Sequence, residues 1–193
     1  MRKFFFSLFF VCAAFAVALA RKDTVHLTFE GIPIDGTLKK YVSKMKRAGF
    51  ACIETRDGVA VFRGDFAGFE NCTIAVATLE STDKVNAVGV VLLERKDWAS
   101  LENDYRRMKT MLAGQYGDPS DCAETFRGGT PESDSSRLSK LKGDECMWYA
   151  TYRTPEGDVR LSVGHQMFTG RYVVQLRYSD RINTDAAQAV EDL

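Results

Sequence analysis

Histidine and cysteine are the side chains in this chain that are best suited to nucleophilic or acid–base chemistry. The chain has two histidines, His26 and His165, and five cysteines. A thiol beside an imidazole can act as a nucleophile, because the imidazole accepts its proton. His26 has no acidic residue beside it in sequence. His165 continues an alternating apolar series with Val159, Leu161 and Val163, which favours a structural role on the buried face of a strand. Catalysis by His165 is the alternative.

The familiar sequence patterns of enzymes are missing from the chain. It has no G-x-S-x-G nucleophile turn, no H-E-x-x-H zinc motif, no P-loop and no calcium-loop pattern. Aspartate and glutamate are scattered, and no spacing singles out a pair. The sequence therefore predicts a protein that is not an enzyme and that binds no cofactor or metal.

The first twenty residues predict a secretory signal peptide. Arg2 and Lys3 precede an apolar run over residues 4–17, and Ala18-Leu19-Ala20 provides a small-x-small cleavage site. An uncleaved membrane anchor is the alternative, but the run is shorter than the ~20 apolar residues that a spanning helix needs. We therefore expect cleavage after Ala20, a secreted or periplasmic protein, and no membrane span in the mature chain.

The charge balance of the mature chain argues against binding to nucleic acid. The sequence holds 26 basic and 26 acidic residues, and loss of Arg2 and Lys3 leaves 24 basic residues. Binding to nucleic acid depends largely on lysine and arginine at the phosphates. The unknown partner is therefore expected to be a protein or peptide.

Cysteine usage predicts disulfide bonds. Loss of Cys12 with the signal peptide leaves an even number of cysteines, Cys52, Cys72, Cys122 and Cys146. An even number in an exported chain favours disulfides, and we favour the pairs Cys52–Cys72 and Cys122–Cys146. In a simple meander, Cys52 and Cys72 would fall on alternate strands ~10 Å apart, beyond the ~7 Å that a disulfide allows. Another pairing or free thiols therefore stay open.

The histidines and cysteines must be positioned by helices and strands, and the sequence predicts two amphipathic helices. The clearer one lies within residues 97–119, with Asp97 as its cap and Gly117 and Pro119 as its stop. Its apolar face consists of Trp98, Leu101, Tyr105, Met108 and Leu112. The other begins after Asp35 or Thr37 and ends at Gly49, and its lysines are interpreted as a solvated face.

Strands are predicted on both sides of the second helix. Those before it cover residues 50–55, 59–63, 72–80 and 85–94, and those after it cover residues 122–127, 145–153, 158–165 and 171–179. The stripe of Ala75, Ala77, Ala87 and Gly89 is small enough for a helix to approach closely, so we expect a helix over it. Residues 128–143 are expected to form a mobile loop. The tail, residues 183–193, can form a short helix capped by Thr184 or Asp185.

The pattern predicts an α+β fold of two tandem units, each with one helix and a four-stranded antiparallel sheet. After the signal peptide at 1–20, the units are assigned to residues 21–96 and 97–182, and the tail to 183–193. A single α+β domain without a repeat is the alternative.

The strands after the second helix have one apolar face and one mixed face. The apolar face is assigned to the core and holds Trp148, Ala150, Tyr152, Val159, Leu161, Val163, Tyr172, Val174, Leu176 and Tyr178. The opposite face contains the candidate binding residues Tyr149, Arg160, Gln175 and Arg177. Aromatic, methionine and arginine side chains are enriched at protein interfaces. An ordinary solvated sheet, or a contact between the two units, are the alternatives.

Two sequence phrases and the overall organisation resemble known exported proteins. Residues 29–36 read F-x-G-I-P-I-D-G, and residues 98–119 contain W-x-x-L-x-x-x-Y and a closing Y-G-D-P. Both resemble small uncharacterised exported proteins of Gram-negative bacteria, a resemblance that implies no known activity. The organisation is similar to the β-lactamase inhibitor protein fold, which implies one disulfide per unit and a sheet surface that binds a protein partner.

Together these patterns predict an exported, non-enzymatic binding module that recognises a protein or peptide through an open sheet face. A periplasmic enzyme or small-ligand-binding protein that uses His165 is one alternative. A structural component of the cell envelope is the other.

Overall fold

Alternation of apolar and polar residues divides most of the chain into strands, and amphipathic segments between and after them form helices. The computed structural model describes residues 25–79, 83–166 and 169–191. The predicted signal peptide and its cleavage site lie outside the described residues. Among the residues described, no helix is long and apolar enough to cross a membrane.

The described part of the chain has an α+β fold with four helices and ten strands. The helices are α1 (Leu38–Arg47), α2 (Trp98–Tyr116), α3 (Asp134–Lys142) and α4 (Arg181–Glu191). The strands are β1 (Thr28–Phe29), β2 (Ile32–Pro33), β3 (Ala51–Arg56), β4 (Val59–Phe66), β5 (Phe69–Thr78), β6 (Val85–Val91), β7 (Asp121–Phe126), β8 (Cys146–Arg153), β9 (Gly157–Gln166) and β10 (Arg171–Asp180).

Eight of the strands form one antiparallel sheet in the order β3-β4-β5-β6-β10-β9-β8-β7, and β1 pairs with β2 in a separate small sheet. The strands before α2 and those after it therefore meet edge to edge, through the ladder between β6 and β10. The structure contradicts the alternative of a contact between the two units through the predicted binding face, because the two groups of strands do not pack face to face.

One continuous hydrophobic cluster lies between the helices and a single face of this sheet. Helix α1 contacts β3, β4 and β5, and α2 contacts β8, β9 and β10. The predicted apolar face of α2 is buried along its whole length, and Trp98 packs edge-on against Trp148 with ring centroids 4.9 Å apart. All predicted core residues of the later strands are buried except Tyr172, which is half-buried.

The ends of α2 agree with the prediction. Asp97 Oδ1 accepts a hydrogen bond from the Ser100 backbone N–H at 2.7 Å. This bond satisfies one of the free amide groups at the helix start. Gly117 caps the other end with a φ of 81°, in the left-handed region that favours glycine.

Two predicted irregular segments are wrong in part. The predicted mobile loop over 128–143 contains α3, which Ser133 caps and whose Leu138 and Leu141 are buried. The final helix, α4, begins two residues earlier than predicted. Its start is capped by Asp180, which accepts the Asn183 backbone N–H at 3.0 Å, and not by Thr184 or Asp185.

The predicted helix over the small-residue stripe is also wrong. Ile74, Val76, Val88 and Val90 are fully buried in the cluster beneath the helices. The stripe alternates with these residues along β5 and β6, so it belongs to the opposite face. Helices pack against the face with the larger apolar side chains because that arrangement removes more apolar area from water.

The predicted disulfide pairs are contradicted by the register of the strands. All four described cysteines are free thiols. Cys122 lies opposite Ala150 while Cys146 lies opposite Phe126. The offset of four residues puts Cys122 and Cys146 roughly 13 Å apart along the ladder, beyond the ~7 Å limit for a disulfide. Cys52 and Cys72 lie on β3 and β5, which are separated by β4.

Candidate functional site

The face of the sheet opposite α1 and α2 brings together the four candidate binding residues. On this face, Arg177 lies directly opposite Arg160, and Gln175 lies opposite Ser162. Tyr149 lies opposite the same Ser162 from the other side. We call this surface the open face; it comprises the small stripe on β5 and β6 and the polar residues Tyr149, Arg160, Ser162, Gln175 and Arg177 on β8, β9 and β10.

A depression of about 510 Å³ lies at the centre of the open face. The residues around it belong to β5, β6, β9 and β10, namely Thr73, Ala75, Ala77, Ala87, Gly89, Val90, Val91, Arg160, Ser162, Gln175, Leu176 and Arg177. Its floor is apolar and its wall on the β9–β10 side is polar. This volume is in the range of pockets that hold small molecules or single side chains of a partner.

The depression exists because side chains are small where β5 and β6 pair. Ala75 lies opposite Gly89, and Ala77 lies opposite Ala87. A Cβ atom placed on Gly89 would meet only the backbone oxygens of Ala75 and Leu176, each at 3.9 Å. The space above the strand at this point is therefore open among the described residues.

Two arginines form the wall and face one another as a cross-strand pair. Like charges that lie directly opposite on neighbouring strands destabilise a sheet. Arg160 Nη1 donates a hydrogen bond to Thr151 Oγ1 at 3.1 Å, and the guanidinium of Arg177 has no hydrogen-bond partner within the described part of the chain. Neither guanidinium forms an ion pair with a carboxylate there.

The orientation of Arg160 is supported by a ring and a carboxylate. Its guanidinium lies over the Tyr149 ring, 3.9 Å from the ring centroid. The Tyr149 hydroxyl donates to both carboxylate oxygens of Asp121, at 3.3 Å each. Gln175 Nε2 donates to Ser162 Oγ at 3.3 Å. These contacts hold the polar side of the open face in a defined arrangement before any partner binds.

The alternative residue, His165, lies in a second depression of about 590 Å³ at the end of β9. Its ring packs against Tyr172 with centroids 5.2 Å apart. Cys146 also lines this depression, and burial raises the pKa of its thiol to about 11. The thiolate needed for nucleophilic attack is therefore disfavoured at neutral pH.

A further polar cluster was not found from the sequence because its members lie far apart in the chain. Asp180 is fully buried. Its Oδ2 lies 3.0 Å from His26 Nδ1, and its Oδ1 accepts the Leu27 backbone N–H at 2.8 Å. The other imidazole nitrogen, Nε2, lies 3.7 Å from the Asp35 carboxylate.

This cluster joins the first described residues to the end of β10. Asn183 Nδ2 donates to the backbone oxygens of Ile34 and Val85, at 3.1 and 2.9 Å. Both His26 nitrogens face carboxylates, and the contacts of Asp180 and Asn183 join segments that lie far apart in the chain, as a structural connection does. No group of three metal-ligating side chains is found in the residues that the structure describes.

Comparison of the chain with models of protein families, with curated proteins and with solved structures found no significant match. The resemblance to the β-lactamase inhibitor protein fold therefore stays a prediction.

Proposed function

We propose that this chain is an exported, non-enzymatic binding module that recognises a protein or peptide through the open face. The observation that carries the proposal is the central depression, in which an apolar floor adjoins two arginines without carboxylate partners in the described part of the chain. A partner that inserts an apolar side chain would bury it against Ala75, Ala87 and Gly89. Burial of one leucine-sized side chain contributes about 1.5–3 kcal/mol.

The composition of the floor supports a binding role over an ordinary solvated sheet. Glycine within a strand lowers stability by roughly 0.5–1 kcal/mol relative to alanine. At Gly89 the backbone has no left-handed φ that would require glycine. Nor does a neighbouring group block a side chain there, since a Cβ atom at this position would lie 3.9 Å from its nearest neighbours. The effect of glycine at this position is therefore to leave open space above the strand.

The test is to fill the depression. In Gly89→Val, the added side chain occupies the floor and suits a strand, so we expect an intact fold and loss of partner capture from a native periplasmic extract. Ala99→Leu is the matched control, because it adds bulk on the exposed side of α2, on the other side of the sheet. Unchanged capture by Gly89→Val would refute the proposal.

A second variant tests the polar side of the same face. Replacement of Tyr149 and Arg177 together by alanine removes the ring under Arg160 and one of the two cations. We expect the fold to persist and capture to be abolished. If wild type captures no discrete partner at all, the alternative of a structural envelope component is favoured.

The alternative of an enzyme or small-ligand-binding protein rests on the depression around His165. Its experiment is a broad substrate and ligand screen of the wild type and His165→Ala. Loss of an activity or of ligand binding in the variant would favour this alternative over a protein-binding role.

We also propose that the chain arose by internal duplication of one helix and a four-stranded meander. In support, α1 precedes β3 to β6, and α2 precedes β7 to β10. The fourth strand of each group pairs antiparallel with the other at the centre of the sheet. Such pairing of equivalent strands is the arrangement that a two-fold relation between the units would produce.

A further inference from the structure

We propose that Arg160 and Arg177 form a binding site for a carboxylate, so that the partner presents an acidic side chain next to an apolar one. This inference rests on the proposed function of the open face and names the chemistry of its occupant. The two guanidiniums project from directly opposed positions on β9 and β10. An anion between them would contact both and relieve their mutual repulsion.

The donors of this pair are available. An arginine side chain carries five N–H donors in a planar fork that matches a carboxylate. Arg160 uses one nitrogen for Thr151 Oγ1, and the guanidinium of Arg177 has no hydrogen-bond partner among the described residues. Oxygen atoms of a carboxylate can therefore accept hydrogen bonds from both side chains.

Two carboxylates of this chain on the same face contact groups other than the arginine pair. Asp121 accepts from the Tyr149 hydroxyl, and Asp158 pairs with Arg181 at 3.1 Å. Neither forms an ion pair with Arg160 or Arg177, so both guanidiniums can pair with an external anion. The contact of Arg160 with the Tyr149 ring, at 3.9 Å, limits the side-chain entropy that binding would cost.

The sheet also sets the distance between the two parts of the occupant. Gly89 lies opposite both Ala75 and Arg177, and Arg177 lies opposite Arg160, so these residues form one row across the sheet. The midpoint between Ala75 and Gly89 lies two strand spacings, about 10 Å, from the midpoint between Arg177 and Arg160. In an extended segment, side chains two residues apart project to the same face about 7 Å from one another, and the length of a glutamate side chain covers the remaining distance.

The probes are two short peptides that differ by one group: acetyl-Leu-Gly-Glu-Gly-amide and the same peptide with Gln in place of Glu. Binding to the chain that begins at Arg21 is measured by nitrogen-15 NMR of its arginine Nε–H signals. We expect the Glu peptide to shift the Arg160 and Arg177 signals saturably and to bind about tenfold more tightly than the Gln peptide, as hydrogen bonds to a charged group predict.

Matched variants assign the preference to the pair. Arg160→Gln and Arg177→Gln should each abolish the preference for Glu over Gln, and raised salt should weaken it. Arg153→Gln, at the end of β8, should leave it unchanged. Equal binding of the two peptides, the lack of any shift at millimolar peptide, or a preference that survives in Arg177→Gln would overturn the inference.

The two proposals fail in different ways. If Gly89→Val loses the native partner while Arg160→Gln and Arg177→Gln keep it, the open face is a docking surface and the carboxylate site is refuted. If the peptide preference depends on Arg177 but Gly89→Val still captures the partner, the carboxylate site is supported and the proposed function is refuted.

Discussion

At the residue scale, the arrangement of Arg160 and Arg177 bears on stability as well as on binding. Because the two arginines occupy directly opposed positions on neighbouring strands, Arg177→Gln should raise the free energy of unfolding by about 0.2–1 kcal/mol at low salt. The difference should shrink at about 1 M sodium chloride, where charges are screened within a few ångströms. Urea denaturation at both salt concentrations measures it.

A matched variant separates this repulsion from a general effect of removing arginine. Arg153 lies opposite Asp158 across β8 and β9, so its neighbour has the opposite charge. Arg153→Gln should leave stability unchanged or lower it slightly. Lower stability of Arg177→Gln than of the wild type at low salt would contradict the prediction.

Asp180 offers a second prediction at this scale. Its buried carboxylate accepts backbone hydrogen bonds from Leu27 and Asn183 and contacts His26. Asp180→Ala leaves these groups without their acceptor, and each unsatisfied buried donor costs about 1–3 kcal/mol. We expect a loss of roughly 2–4 kcal/mol in the free energy of unfolding.

Thermal and urea denaturation measure that loss. Asp185→Ala is the control, because Asp185 is exposed on the same helix and surface substitutions usually change stability by less than about 0.5 kcal/mol. A similar small effect for both variants would mean that the connection through Asp180 does not stabilise the fold.

Individual residues were predictable where only local pattern matters. Tyr149, Arg160, Gln175 and Arg177 were assigned to one face because side chains alternate along a strand, and the register places them together. The contact between His26 and Asp180 joins residues 154 positions apart, and no local pattern encodes it. The cysteine pairing failed for the same reason, since an even count says nothing about register.

At the element scale, the start of α2 makes a pH-dependent prediction. Hydrogen bonds from the Ser100 backbone and side chain lower the pKa of Asp97 below its ordinary value of 3.8. Because the pKa is lower in the folded state, the cap contributes its full stability above the unfolded pKa. That contribution is lost as pH falls through the folded pKa.

Asp97→Asn provides the comparison, since asparagine caps a helix well but does not titrate. The stability of the wild type relative to Asp97→Asn should therefore fall as pH drops below the ordinary aspartate pKa of 3.8 and through the lower pKa of the folded state. Thermal unfolding of both proteins across this range measures the difference. A difference that stays constant with pH would contradict the assigned role of Asp97.

Elements were predictable where periodicity was strong, as in α2. Helix α3 was missed because the glycine, serine and proline around it indicated a loop, although Leu138 and Leu141 have helical spacing and both are buried. The side of the sheet that a helix covers at the small stripe was also predicted wrongly. Close approach favoured the small stripe, but burial of the larger residues on the other face decided the packing.

At the scale of the whole molecule, the register of the sheet makes a prediction about oxidation state. Because the four described cysteines are free and too far apart to pair, unfolding the chain from Arg21 without reductant should expose four thiols to iodoacetamide. Mass spectrometry counts the added groups. In the folded protein, Cys122 should react first because it is exposed, and Cys72 should be protected because it is fully buried.

Incorporation of two groups or none would show that disulfides form and that the strands around them are arranged differently.

The general α+β class was predictable from alternating strands and two amphipathic helices. The single sheet was not, because hairpin turns such as Asp57-Gly58 indicate only which neighbouring strands pair. Pairing of β6 with β10 depends on the fit of complete elements.

The central depression crosses the ladder between β6 and β10. Its floor belongs to β5 and β6, which precede α2 in the chain, and its charged wall belongs to β9 and β10, which follow α2. An occupant would therefore contact both groups of strands and stabilise the ladder between β6 and β10, where the two groups could separate. Mechanical resistance to pulling the two ends of the chain apart would then report whether the depression is filled.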